Sequence, residues 1–388
     1  YGMFLNSNDT LSTYIYYTGA TWQGLFDTTQ VFRDPAAWYH FVLAVDTTQA
    51  TSTDRVKIYV NGTQITSFSS SSYPNQNQTT NWNTATTYAI NAQYNGVGSF
   101  FDGYTAELNY IDGQALTPNS FGTTSDLGVW QPIRYGGSYG TNGFYLKFTD
   151  TTNTTTLGYD SSPNSNNWTT NNISLTAGST YDSMTDVPTL TSATAANYCV
   201  LNPLDKLLSP TVINGNLSAT VGDNAEVRGS IYVSSGKWYW EIVPTTMTFS
   251  MIGVGIGGSG LHWGTTGVSY YGANGNKYVN GSASAYGASY TNNDVIGIAL
   301  DLDNLQITFY KNNTSQGTIT GLTAGLYTPA LSAAGNSSVY NANFGQRPFD
   351  YTPPSGFVRL VLLHLHRRMI TLMWCYIQVT EAQMQLLV

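Results

Sequence analysis

The chain reads as all-β, in two β-rich domains joined by a polar connector, and three observations predict this. Composition is the first: 41% of the residues are hydrophobic but only 9% are charged, with 29 tyrosines and 38 glycines. Aromatic and β-branched residues suit a pleated face, and Gly and Asn suit turns. Second, before its last thirty or so residues the chain lacks the Glu, Lys, Arg and Leu that long helices want. Third, a hairpin phrase occurs twice, as VLAVDTTQATSTDRVKIYVNGT at 42–63 and as VIGIALDLDNLQITFYKNNT at 295–314. Each runs apolar residues into an Asp, crosses a polar turn, climbs a second strand to Tyr-x-Asn and turns again. A length of 388 residues leaves room for two or three domains at one per ~150 residues.

Residues 1–122 carry short strands with polar turns. WYHFVLAVD (38–46) is a buried-strand run, and RVKIYVNG (55–62) alternates with period two before an Asn-Gly turn. SFSSSSYPNQNQTTNWNTATT (67–87) is low-complexity and polar, which predicts an exposed loop. FFDGYTAELNYIDGQALTPNSFG (100–122) alternates again and closes on turn residues. Residues 123–197 read as an extended connector with short strands: GFYLKFTD (143–150) is one, and 149–174 has almost no apolar periodicity. Residues 198–357 return to regular strands, GKWYWEIV (236–243), SMIGVGIG (250–257), VIGIALDLD (295–303), QITFYKN (306–312) and SVYNANFG (338–345), at sandwich spacing. The glycines of IGVGIGG mark close backbone approach; the spacing is wrong for a phosphate loop and no helix pattern follows.

Residues 358–388 break this style. They hold two of the four histidines and three of the seven methionines, and no Gly, Asn, Ser or Pro. Arg359, His364, His366, Arg367 and Arg368 interrupt the apolar run, against a membrane span. An amphipathic anchor is one reading. A frameshift is the preferred one: in the neighbouring frame the junctions around Trp374–Tyr376 force Val-Val-Leu, Met369–Ile370 forces an Asp, and the rest permit D-x-x-D-V-V-L-Y-T-G-N-G-S, in the idiom of the chain. The opening at Tyr1, in the middle of strand-like sequence and without a signal peptide, predicts that the true start is missing.

The formal charge of −8, with no basic cluster before the tail, argues against nucleic-acid binding. Cys199 and Cys375, the only cysteines, offer no disulfide framework or cysteine zinc site, and no cofactor is called for. Retaining glycan hydrolysis needs two close carboxylates, but no two of Glu107, Glu226, Glu241 and Glu381 lie within ten residues. Asp301-x-Asp303 has the parity for one face yet sits at a turn. His40 and His262 lack a nucleophile elbow. The expectation is a protein that is not an enzyme. Asp46, Asp301 and Asp303, at strand ends, should accept backbone N–H bonds; calcium would need roughly six to eight oxygens, and no DxDxDG run gathers them.

The first hairpin with its flanks, WYHFVLAVDTT…DRVKIYVNGTQI and FFDGYTAELNYIDGQALTPNSFG, resembles the second half of a laminin-G-like, concanavalin A-type lectin domain over 1–122, truncated at its N-terminus. GKWYWEIV, DVIGIALDLDNLQITFYKNN and VYNANFGQRPF resemble a SPRY domain over 198–357. Both resemblances imply antiparallel β-sandwiches of concanavalin A-type topology, so that the repeated phrase is the same piece of the same architecture. The order of lectin-like half, connector and SPRY half resembles structural proteins of marine bacteriophages such as tail fibres. That implies a virion, extracellular location and a host-surface glycan or protein as partner. Other virion subunits are the alternative partners, for a purely structural spacer; homo-oligomerisation is left open.

Aromatics among Gly and Asn make adaptable binding surfaces. The segment 261–294 concentrates Trp263, Tyr270, Tyr271, Asn274, Asn276, Tyr278, Tyr286 and Tyr290, the candidate ligand-binding residues. SPRY domains bind partners through such loops, and the competing expectation is that about half of these aromatics fill the core. Trp238 and Trp240 share strand parity and read as core. Trp22, Trp82 and Tyr94 are weaker candidates.

Overall fold

The computed structural model describes residues 1–388 other than 1, 19–20, 35–36, 81–87, 93–99, 102, 127, 179, 186–196, 257–266, 362–384 and 388. It is all-β: the described residues form antiparallel sheets and three short 3-10 turns, with no α-helix among them. Two compact units result, Tyr1–Ile173 with Trp374–Val388, and Ser174–Met373.

In the first unit a four-stranded sheet orders Gly2–Leu5, Thr10–Thr18, Thr21–Val31 and Phe68–Ser71, and a three-stranded sheet orders Phe41–Val45, Val56–Val60 and Thr63–Ile65. Val56, Ile58 and Val60, the alternate residues of one strand, bury together with Leu11, Ile15, Phe26 and Phe32. The loop expected over 67–87 therefore begins differently. Phe68–Ser71 is a strand paired with Thr21–Val31, and the Phe68 ring meets Phe26 edge to face at 5.4 Å. One apolar anchor suffices to dock an otherwise polar segment. Further along, Trp168 is buried with Leu146 and Ile90, and Asp160 gathers backbone N–H donors from Tyr145, Ser162 and Asn166 at 2.7–2.8 Å.

The second unit is a β-sandwich. Its seven-stranded sheet runs Leu201–Leu207, Glu226–Gly229, Tyr327–Ala333, Ser250–Ile256, Gly267–Tyr271, Lys277–Val279 and Ser282–Ser284. The facing sheet runs Thr211–Ile213, Ser218–Val221, Ser338–Asn343, Lys237–Thr246, Ile296–Asp301, Gln306–Lys311 and Thr314–Thr320. Val358–Arg359 adds a short parallel pairing to Trp238 and Tyr239, and Leu360 and Val361 are fully buried behind it. Trp238 and Trp240 lie in the core at 3% and 1% exposure, as their parity predicts. Tyr340 links the sheets: its hydroxyl donates to the Ser332 carbonyl and accepts the Met251 N–H at 3.3 Å.

The repeated phrase is one device used twice. Phe41–Val45 pairs with Val56–Val60, and Ile296–Asp301 with Gln306–Lys311. Val60 pairs with Thr63 and Lys311 with Thr314, so both hairpins close on two residues, Asn61-Gly62 and Asn312-Asn313. All four have positive φ, from 46° to 80°, the left-handed pair of a type I′ turn whose twist matches the strands. The first Asn of each turn also reaches back. Asn61 Oδ1 accepts the His40 N–H at 2.8 Å, and Asn312 Oδ1 accepts the Val295 N–H at 2.8 Å. Tyr-x-Asn thus clips the end of its own hairpin to the residue that leads into it.

The aspartates hold backbone, as expected. Asp46 accepts Thr48 N–H at 3.0 Å, Asp301 accepts Asn304 N–H at 3.0 Å and Asp303 accepts Gly236 N–H at 2.8 Å. Burial would raise the Asp301 carboxyl, but the Lys237 ammonium at 2.6 Å and the Asn304 donors outweigh it and hold it low.

Candidate binding surface

The aromatic-rich segment forms the far edge of the seven-stranded sheet, a meander of Gly267–Tyr271, Lys277–Val279 and Ser282–Ser284. Its turns follow from sequence. Asn274 Oδ1 accepts the Asn276 N–H at 3.0 Å, and Asn280-Gly281, both at positive φ, close the hairpin between Val279 and Ser282. Gly275 sits at φ +76° with its backbone so close to Gly287 that a Cβ would lie 2.0 Å from the Gly287 oxygen.

Register then sorts the candidates. Tyr270 pairs with Lys277 and Ser269 with Tyr278, so Tyr270 and Lys277 share one face while Tyr271 and Tyr278 share the other. Tyr270 is fully buried, against Tyr290 at 4.9 Å and Phe309 of the facing sheet at 5.6 Å. Tyr290 is fully buried as well; its hydroxyl lies 3.0 Å from both the Ser250 carbonyl and hydroxyl, and 3.1 Å from the Tyr270 carbonyl. These two are core residues rather than ligand contacts: the Tyr270 ring packs on Phe309 of the opposite sheet, and the Tyr290 ring packs on Tyr270. Tyr278 is 8% exposed.

What remains at the surface is smaller. Tyr271 is half-buried and meets Tyr278 edge to face at 5.9 Å. Tyr286 is half-buried, accepts the Phe309 N–H at 3.1 Å and donates to the Gly317 carbonyl. Asn274 is exposed and Asn276 half-buried. Trp263, and with it His262, lies outside the described residues, as do Trp82 and Tyr94 and the Trp22 side chain. Lys277 joins the group: its ammonium stands 5.7 Å from the centre of the Tyr286 ring. Sequence reasoning passed over Lys277, although a lone lysine in GNKYVNG, within a stretch otherwise uncharged from 261 to 293, was the available signal. Beside them the edge strand Ser282–Ser284 is exposed at all three residues and has no further neighbour on its outer side among the described residues.

Glu381 lies outside the described residues, and the described groups weighed for catalysis are occupied by the fold. Glu226 is buried and pairs with Arg228 at 2.9 Å, which also holds Asp205 at 2.6 Å. Glu241, 1% exposed, accepts the N–H groups of Asp350 at 2.8 Å and Tyr351 at 3.0 Å and the Tyr239 hydroxyl at 3.0 Å. Burial pushes it up to about 7 against those donors. His40 Nδ1 accepts the Trp130 indole N–H at 2.9 Å, and burial lowers its pKa, so it stays neutral. Its partner stands 90 residues away in sequence, not within its own strand.

The SPRY domain family model matches residues 237–347, and the chain carries a SPRY domain there. Over 143 residues the chain is 30% identical to Ran-binding protein 9 of Homo sapiens, covering 34% of this chain and 20% of the relative. Over 176 residues it is 27% identical to the ATP-dependent RNA helicase DDX1 of Xenopus laevis, covering 44% of this chain and 24% of the relative. The chain thus spans about a quarter or less of these relatives. Among solved structures it is similar to the SPRY domain of human HERC1 at 21% identity and a TM-score of 0.34, covering 37% of this chain and 96% of that one. That score is too low to add to the sequence match.

Proposed function

We propose that the Ser174–Met373 unit is a non-enzymatic binding module that takes a protein partner along the Ser282–Ser284 edge, on Tyr271, Asn274, Lys277 and Tyr286. The carrying observation is that edge: a strand of small residues, paired on its inner side to Lys277–Val279 and without an outer partner among the described residues, flanked by two half-buried tyrosines and one cation. An extended segment of a partner can add to such a strand through main-chain hydrogen bonds, with the tyrosines supplying anchors at low entropic cost. The family match supports an interaction module, and a relative named for binding Ran supports a protein as the partner class. Among the described residues Glu107, Glu226, Glu241 and His40 are each satisfied internally, which favours binding over catalysis.

The finer reading, attachment of a virion appendage to a host-surface glycan or protein, rests on segment order in the sequence alone; it would place the chain on a virion, outside the cell. A purely structural role against other virion subunits is its counterpart. One experiment separates these. A random peptide library is selected on the immobilised chain and a glycan array is probed with it. Arginine is then placed at exposed Ala283, and at Leu204, 73% exposed on the strand at the opposite end of the same sheet. Peptide binding lost in Ala283→Arg and kept in Leu204→Arg supports the proposal. The reverse pattern refutes it, and glycan binding without peptide binding transfers the function to the adhesin reading.

A further inference from the structure

The open edge of the seven-stranded sheet dictates how a partner strand can join it. The Tyr271 N–H donates to the Asn276 carbonyl at 2.8 Å, and the Asn280 N–H to the Gly267 carbonyl at 3.0 Å. Bonded and non-bonded pairs alternate along an antiparallel ladder, so Tyr278 bonds toward Ser269, while Lys277 and Val279 turn their main-chain groups toward the last strand. The two-residue turn Asn280-Gly281 requires the same, since it closes on a bonded pair of Val279 and Ser282.

Ser282 and Ser284 therefore spend their N–H and C=O groups inward, on Val279 and Lys277. Ala283, opposite Tyr278 in a non-bonded pair, points both of its groups outward, where no neighbour meets them among the described residues. The strand thus offers one donor and one acceptor, on a single residue. Its side chains leave the approach open, since Ser282, Ala283, Ser284 and Ala285 are all small, exposed and uncharged.

The other edge of the same sheet is built differently. Along Leu201–Leu207 the register passes from Asn202 opposite Arg228 to Lys206 opposite Val227. Pro203, Leu204 and Asp205 are extruded where the neighbouring strand advances by one residue. Pro203 has no N–H to give, and Asp205 turns to Arg228 at 2.6 Å and to the Tyr232 hydroxyl. A bulge carrying proline and a carboxylate is a device by which sheets refuse an added strand.

We propose that this sheet takes its partner at the Ser282–Ser284 edge alone, as an antiparallel strand in which one partner residue exchanges both main-chain hydrogen bonds with Ala283. This rests on the reading of that edge as a protein-binding surface and adds its register and orientation. The partner that fits is an extended segment with a free N–H at that position, which excludes proline there and leaves the side chain open.

The test takes a peptide selected on the immobilised full chain and measures it by titration calorimetry against wild type, Ala283→Pro and Ala283→Ser. Proline fits an edge strand where the N–H faces outward, and it leaves the inward bonds of Ser282 and Ser284 in place. Ala283→Pro should weaken the peptide roughly threefold to tenfold, the worth of one main-chain hydrogen bond, and Ala283→Ser should leave it within about twofold. N-methylation of the peptide should reproduce the loss at one residue, with the residues on either side tolerant. A nitroxide on the first residue of the peptide should broaden the amides of Ser284 and Ala285 before those of Gly281 and Ser282; the reverse order means a parallel strand and overturns the orientation. Unchanged affinity in folded Ala283→Pro, for a peptide that Ala283→Arg still abolishes, overturns the register and leaves the edge reading standing. Failure to select any peptide overturns both. Wild type that sediments as a dimer, with Ala283→Pro a monomer, gives the edge to a second copy and overturns the partner assignment. Should Ala283→Pro lose its thermal transition, the N-methyl scan decides in its place.

Discussion

Glu241 gives a quantitative test of how the SPRY domain is built. It lies on the strand Lys237–Thr246 at 1% exposure, and its two oxygens accept three donors, two of them the main-chain N–H groups that fix the segment at Asp350 and Tyr351. Burial nevertheless pushes it to about 7 from an ordinary value of 4.5, with a smaller push from the Asp350 charge. A folded pKa above the unfolded one means that the native state holds the proton more tightly. The associated stability is complete below the unfolded value and disappears as pH rises through about 7. At ~1.4 kcal/mol per pH unit the loss amounts to about 3 kcal/mol between pH 4.5 and pH 8. Asp182 is also raised by burial and His40 is lowered by it, so the raw profile mixes groups. The difference between wild type and Glu241→Gln isolates one. Urea unfolding across pH 5–8.5 should show wild type losing about 2–3 kcal/mol relative to the variant, with the variant about 1–3 kcal/mol less stable at pH 5, where its amide faces the Asp350 N–H. The chain has four glutamates, so 13C-carboxyl NMR reads the titration directly. A pH-independent difference, with every glutamate resonance titrating below pH 5.5, would refute the reasoning: the three donors would then outweigh burial.

Other variants probe the elements that position the candidate surface. Asn312→Ala should cost about 2 kcal/mol, the sum of a non-glycine residue at φ 46° and the lost bond to Val295 N–H; Asn312→Gly, which keeps the turn, should recover about half in chemical denaturation. Asn61→Ala should repeat that loss in the other unit if the two hairpins share one device. Tyr290→Phe removes one hydroxyl from between Ser250 and Tyr270 at unchanged volume and should lower stability by about 1–3 kcal/mol, with Ser250 amide exchange speeding up. Gly275→Ala should be worse than any of these, since φ is +76° and the Gly287 oxygen occupies the space; a melting temperature within a degree or two of wild type would show that the turn relaxes freely.

How much of this was legible in the sequence depends on the kind of interaction. Period-two alternation placed Trp238 and Trp240 in the core, and the paired Tyr-x-Asn phrases marked two equivalent hairpins, because both signals are local along the chain. The Phe68–Ser71 strand escaped because three of its four residues are serine: its pairing comes from Thr21–Val31, some forty residues away, and from a single ring on Phe26. The bond between His40 and Trp130 and the hub at Asp160 escaped for the same reason. Side-chain hydrogen bonds of that kind leave no apolar period to read.

The proposed binding surface shows the limit most sharply. Tyr270 and Tyr271 are adjacent in sequence and identical in chemistry, yet strand geometry sends one into the core against Phe309 and leaves the other half-exposed. A count of aromatics in 261–294 cannot separate them, because which face is the inner one is set by the register with Lys277–Val279 and by the opposite sheet. The residues available to a partner are therefore those that the packing leaves over, Tyr271, Tyr286 and the polar residues of the last edge strand. Lys277 belongs with them for a physical reason: it stands opposite Tyr270 on the inward face, and at the rim its flexible stem carries the ammonium out over the Tyr286 ring. A basic residue on the strand next to the exposed edge, paired with Ser284, supports the proposed surface more than the number of tyrosines around it does.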